Sequence, residues 1–258
     1  MFFDAHAHID GKEFDEDRQA VLQRARDAGV THIVCIGAAD GMDANYTTLE
    51  LAKAEADVYA TVGVHPHDAK IVDDACLQEI EKLAAHDKVV ALGESGLDYH
   101  YDHSPRDKQQ DTFRQFLALS RKLNLPLVVH TREADEDTIE IIESADADDV
   151  PGVLHSFTGT EALAKAAVAR GWMVSFSGIL TFRNAQRLRD IAQALPPESV
   201  MVETDSPFLT PVPHRGKRNE PAFVTHTADQ LAQLWQMDPA EVRRITGENA
   251  ARFYRIDG

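Results

Sequence analysis

Residues 89–131 read VVALGESGLDYHYDHSPRDKQQDTFRQFLALSRKLNLPLVVHT. An apolar run at Val89–Glu94 comes first, an amphipathic stretch at Lys108–Leu123 follows, and a second β-branched run closes the segment at Leu127–Thr131. Short apolar runs read as strands, and the longer stretch with apolar residues three and four apart reads as a helix. Strand, helix, strand in sequence makes a βαβ unit with parallel strands and a right-handed crossover.

The same alternation extends both ways along the chain. Candidate strands fall at Phe2–Ile9, His32–Gly37, Val58–Val64, Gly152–His155, Met173–Phe176 and Val200–Thr204, which with the two above makes eight. Candidate helices fall at Glu16–Ala28, Met42–Ala54, Asp74–His86, Asp135–Ser144, Thr160–Arg170, Arg183–Leu195, Pro221–Gln236 and Pro239–Ile245. Eight β/α units in 258 residues predict an α/β fold, a (β/α)8 TIM barrel forming a single domain over residues 1–258. An open doubly wound sheet is disfavoured because no Gly-rich phosphate fingerprint follows an early strand.

Composition narrows the class. The formal charge is −17, from 43 acidic and 26 basic side chains, which disfavours a general nucleic-acid coat or an anionic-membrane binder. With 14 Gly, 11 Pro and 2 Cys, collagen, low-complexity and disulfide-scaffold classes fail as well. Cys35 and Cys76 read as reduced packing residues. The N-terminus turns polar at Asp4 and no run approaches a membrane span, so a cytoplasmic protein without membrane association is expected.

The polar residues at strand ends carry the chemistry. Residues two apart on a strand share a face, so His6 and His8 of the first strand project together. Glu94, His130, His155 and Asp205 end strands four, five, six and eight. Barrel enzymes keep their sites at the C-terminal mouth of the strands, and six residues of metal-ligand type directed there predict a metal site.

Eight stretches extend this reading: FDAHAHID (3–10), GVHPH (63–67), GESGLDY (93–99), HTRE (130–133), HSFTG (155–159), ETDSPFL (203–209), RNEP (218–221) and NAARFY (249–254). In this order they resemble the TatD family of metal-dependent deoxyribonucleases, within the amidohydrolase superfamily. Ser95 and Ser156 depart from the commonest family spelling at positions that take small residues. The resemblance implies one ion held by His6, His8, Glu94 and Asp205 and a second by Glu94, His130 and His155, with Glu94 bridging and thereby catalytic. A Glu at position 94 argues against the branch of the superfamily that bridges its metals with a carboxylated Lys.

Imidazoles with carboxylates suit Zn2+, Mn2+, Fe2+ or Co2+ better than Mg2+, although the family is described as Mg2+- or divalent-dependent. Two such ions activate a hydroxide and neutralise a phosphodiester under attack. Asp205 is the expected general base. His65 is expected to contact the scissile phosphate or an activated water, while His67 caps the next turn. Arg132 offers a fork to phosphate, Asp4 is expected to fix an imidazole, and Asp98 and Tyr99 to orient a ligand or stack on a base. The loop 211–219 holds Arg215, Lys217 and Arg218 and no acid, which makes Lys217 and Arg218 phosphate-binding candidates; a structural pairing of Arg218 with Glu220 is the alternative.

The resulting expectation is a hydrolase cleaving DNA as a 3′-5′ exonuclease preferring single-stranded ends, with no obligate protein partner. An ester or amide hydrolase of the same superfamily, such as a D-aminoacyl-tRNA deacylase with tRNA as partner, is the enzymatic alternative, because binuclear sites catalyse both. A non-catalytic barrel scaffold is disfavoured by the six competent ligand positions. Against the overall acidity, residues 162–219 carry eight basic and four acidic side chains, whereas residues 1–100 carry eight and twenty. Screening over about 8–10 Å hides distant acids from a phosphate at the mouth, so the charge predicts loose, salt-sensitive engagement of strand ends.

Overall fold

The computed structural model describes residues 1–38 and 41–256. Among them, eight strands alternate with helices. They are β1 (Phe3–Ala7), β2 (His32–Ile36), β3 (Val58–Val62), β4 (Val89–Asp98), β5 (Leu127–Arg132), β6 (Gly152–Leu154), β7 (Met173–Phe176) and β8 (Val200–Val202). The helices are α1 (Arg18–Asp27), α2 (Gly41–Ala54), α3 (Asp74–Ala84), α4 (Arg106–Leu123), α5 (Asp135–Glu143), α6 (Glu161–Ala169), α7 (Gln186–Ala194), α8 (Val224–Trp235) and α9 (Pro239–Tyr254). The strands form one parallel sheet in the order β1 to β8, and the chain just after β8 returns to β1 through a parallel bridge between Ala7 and Ser206. This is the (β/α)8 barrel topology that the alternation predicts.

Two compact units make up the chain, residues 1–35 with 175–258, and residues 36–174. In the first, β1 pairs with β2 from Phe3–His32 to Ala7–Cys35, and every residue of β1 is buried. Helix α9 runs nine residues beyond the expected end at Ile245. It continues through Gly247, where a Cβ would overlap the Met1 carbonyl, so the glycine serves a close backbone approach rather than a break. Cys35 is a free thiol whose Sγ donates to Asp10 Oδ1 at 3.3 Å.

In the second unit, α4 buries Phe113, Phe116, Leu117 and Ser120, the i, i+3, i+4, i+7 stripe of an amphipathic helix. It stops at Asn124, whose φ of 55° is the left-handed cap conformation. Cys76 is a free, half-buried thiol.

Strand β4 departs from expectation. It does not end at Glu94 but continues four residues to Asp98, all of it buried. The register against β5 shifts between Leu92 and Ser95 and then resumes as Gly96–His130 and Asp98–Arg132. Gly96 makes that continuation sterically feasible, since its φ is +131° and a Cβ would overlap the His130 carbonyl oxygen. Gly96→Ala is therefore expected to destabilise the protein by about 3 kcal/mol, through backbone strain and overpacking together; a denaturant-unfolding midpoint equal to that of the wild type would refute it.

No helix among the described residues is long and apolar enough to cross a membrane.

Candidate metal centre

In the first unit, strand parity brings His6 and His8 to one side of β1, with their Nε2 atoms 3.3 Å apart. Asp205 joins them from the segment after β8. Its N–H donates to the His6 carbonyl at 2.9 Å, and the His8 N–H donates to the Ser206 carbonyl at 2.7 Å. Asp205 itself has a φ of +57°, a conformation unusual outside glycine and tolerated by Asp. That turn brings Oδ1 to 3.6 Å from His6 Nε2 and 3.3 Å from His8 Nε2.

Asp4 shares the histidines' parity, but it serves the backbone instead of an imidazole. Its carboxylate accepts from Thr204 N at 2.8 Å and Thr204 Oγ1 at 2.5 Å, clamping the segment that presents Asp205. Burial pushes the Asp4 carboxyl up to about 8 against the opposing Thr204 hydrogen bonds. Asn219 holds the same segment, donating to the carbonyls of Thr204 and Phe208 at 2.9 and 2.6 Å. Glu203, buried, has a ligand atom within 4.8 Å of one on His6. It is an acid the strand-end reading overlooked, although its spacing of two from Asp205 is the relevant signal.

The basic loop is largely tied down. Arg218 pairs with Asp17 at 2.8 Å, donates to the Glu13 carbonyl and covers the Phe14 ring. Glu220 pairs with Arg24 at 2.6 Å, so the anticipated Arg218–Glu220 pair is replaced by two pairs reaching α1 and its approach. Arg215 lies 3.8 Å above Phe182. Lys217 is exposed, without an acidic partner among the described residues.

In the second unit, Glu94 Oε1 lies 2.9 Å from His130 Nδ1, 2.8 Å from His155 Nε2 and 3.4 Å from His65 Nε2. His130 Nδ1 and His155 Nε2 are 3.2 Å apart, so Glu94, His130 and His155 form a compact triad of donor atoms. Burial opposes ionisation of Glu94, but the imidazoles of His155, His65 and His130 hold its carboxyl well below the usual range.

Asp98 orients this triad. Its Oδ2 lies 3.2 Å from His130 Nε2 and 3.0 Å from His67 Nε2. Taking the His130 Nε2–H leaves the Nδ1 lone pair facing Glu94 and His155, the arrangement that fixes an imidazole for metal ligation. His67 thus meets Asp98, and the capping role falls to His65, whose Nδ1 accepts from the His67 N–H at 3.1 Å. Burial lowers His65 to about 4 despite the nearby Glu94 charge, so the ring is neutral at pH 7. With Nδ1 accepting, its proton sits on Nε2, a donor aimed at Glu94.

Tyr99 is engaged elsewhere. Its hydroxyl donates to Asp137 at 2.5 Å, and Arg106 covers its ring at 4.2 Å. Burial and the Asp137 bond push it up to about 12. Arg132 is exposed and lies 4.9 Å from the Tyr101 ring, while Glu133 pairs with His100 at 2.7 Å.

Each unit therefore offers two imidazoles and a carboxylate with donor atoms within 3.6 Å of one another. Nitrogen and oxygen donors in this proportion fit a divalent ion, and three protein ligands leave a position open to water or substrate.

The TatD-related DNase family model matches residues 3–255. The chain belongs to the TatD-related DNase family. Its relatives there include the metal-dependent hydrolase YabD of Bacillus subtilis, itself uncharacterized, which is 41% identical over all of both chains. The 3′-5′ ssDNA/RNA exonuclease TatD of Cronobacter sakazakii is 34% identical over 98% of this chain and 97% of its own. Among solved structures, the TatD homolog YJJV of Escherichia coli K12 superimposes with a TM-score of 0.92 at 28% identity, covering 99% of this chain and 98% of its own. This TatD-family chain is a metal-dependent hydrolase on an amidohydrolase-like barrel.

Proposed function

We propose that this hydrolase cleaves phosphodiester bonds of DNA as a 3′-5′ exonuclease acting on single-stranded ends, with one divalent ion at each cluster. The observation that carries the reading is two compact clusters of donor atoms, His6, His8 and Asp205 in one unit and Glu94, His130 and His155 in the other. The exonuclease activity of the Cronobacter relative supports the choice of substrate. When bound, such ions acidify an attacking water and neutralise the charge that builds on a phosphodiester.

The chain's own groups supply the rest. Asp205 accepts the proton of the water, since its carboxylate lies beside the His6 and His8 nitrogens. His65 presents Nε2–H to a phosphate oxygen, in place of the Glu94 contact seen here. Asp98 keeps His130 in the ligating tautomer. Arg132 and Lys217 attract phosphate, whereas Arg218 holds the loop through Asp17. The family pattern adds that Glu94 also serves the first ion.

The test is a chelated and reconstituted enzyme on 5′-labelled single-stranded DNA, duplex DNA and aminoacyl-tRNA side by side. Zn2+, Mn2+ or Mg2+ is expected to restore a ladder that shortens from the 3′ end, fastest on the single strand. Release of amino acid from tRNA without shortening of DNA would overturn the nuclease reading in favour of a deacylase.

A further inference from the structure

Beyond the donor clusters, the segment after β4 carries an aromatic group that metal chemistry does not use. Tyr101 is 51% exposed, a large apolar ring left open to solvent. It does not dangle. His103 lies parallel to it, with ring centroids 5.5 Å apart and planes within 4°. His67 and His100 meet it edge-on at 5.4 and 4.7 Å. The Arg132 guanidinium lies over the ring, 4.9 Å from its centroid, and has no carboxylate partner among the described residues.

The ring is also tied to the donor cluster of its own unit. Its backbone N–H donates to Asp98 Oδ1 at 2.9 Å, and the other oxygen of that carboxylate lies 3.2 Å from His130 Nε2. One buried side chain therefore sets both the ligand triad and the place of the exposed ring.

We propose that Tyr101, framed by His103 and Arg132, is the platform on which a base of a single strand stacks while Arg132 meets the adjoining phosphate. The inference rests on the nuclease reading and specifies which part of the strand this face holds. A half-exposed flat ring whose covering guanidinium can turn to a phosphate complements a base joined to that phosphate. Bases inside a duplex have their faces already stacked, so the platform selects unpaired ends. Tyr99, two residues earlier, is excluded from this role because it is half-buried, with its hydroxyl bonded to Asp137.

Two 5′-labelled single strands, identical except that the last two 3′ nucleotides are either ordinary or abasic tetrahydrofuran, test the platform. Binding to the full-length protein is read by anisotropy with Ca2+, and cleavage is read separately with Mn2+. The wild type is expected to bind the base-bearing end about tenfold more tightly. Tyr101→Ala should bring that ratio close to one and Tyr101→Phe should keep it, with unchanged metal content in both confirming an intact cluster. A Tyr101→Ala protein that retains the wild-type ratio, or a wild type indifferent to the bases, overturns the platform. Cleavage without base preference removes the platform and leaves the nuclease reading standing; base-dependent binding lost in Tyr101→Ala, with no shortening of either strand, does the reverse.

Discussion

Asp205→Asn is expected to lower turnover of a single-stranded 3′ end about 10²–10⁴-fold, the usual contribution of a positioned general base, while most of the metal stays bound. Asn preserves the shape of the side chain and tolerates the left-handed backbone at φ +57°, so the turn that presents residue 205 survives. His6 and His8, whose Nε2 atoms converge to 3.3 Å, still provide two ligands. What disappears is the charge and basicity of the oxygen that lies 3.3 Å from His8 Nε2. Initial rates at saturating Mn2+, paired with elemental analysis of the same preparation, separate chemistry from metal loss. Rates within a fewfold of the wild type would remove Asp205 from the proton transfer.

Glu94→Gln is expected to fail differently, losing metal and activity together. Glu94 Oε1 gathers three imidazole nitrogens within 3.4 Å, and Gln replaces that anion with a neutral carbonyl and an NH2 group that adds donors to a site needing an acceptor. A fall of about a hundredfold or more in activity should accompany the drop in bound ions, with partial recovery in excess Zn2+ or Mn2+. Unchanged metal content would count against Glu94 as a ligand. If Glu94 serves both ions, more than one equivalent leaves; if it serves one, the His6, His8 and Asp205 cluster keeps its own.

The proposed DNA substrate would be engaged by a protein that is acidic as a whole. The formal charge of −17 is unevenly distributed, with residues 1–100 carrying twenty acids against eight bases, and the groups proposed to meet phosphate are local: His65, Arg132 and Lys217. Two of the three loop cations after β8 hold the protein together, Arg218 through Asp17 and Arg215 against Phe182. The segment's net basic character therefore overstates its contribution to binding.

The barrel topology was legible in the sequence, and so was the pairing of His6 with His8, because both depend on short-range geometry. A strand's period of two brings His6 and His8 to one face, and the alternation of apolar runs with 3.6-period stretches orders the sheet. Residues whose part depends on a distant partner were not legible in this way. Asp4 shares the histidines' parity, yet it binds Thr204, 200 positions away. Glu94 marks the end of an apolar run, yet β4 continues because Gly96 can lie against the His130 carbonyl. Tyr99 and Tyr101 look alike in sequence, and each has an arginine over its ring; one is bonded to Asp137 and half-buried, and the other is 51% exposed. Local covalent geometry repeats along the chain and can be read from it, whereas the choice of a hydrogen-bond or ion-pair partner is made only when packing brings remote segments within about 3 Å of each other.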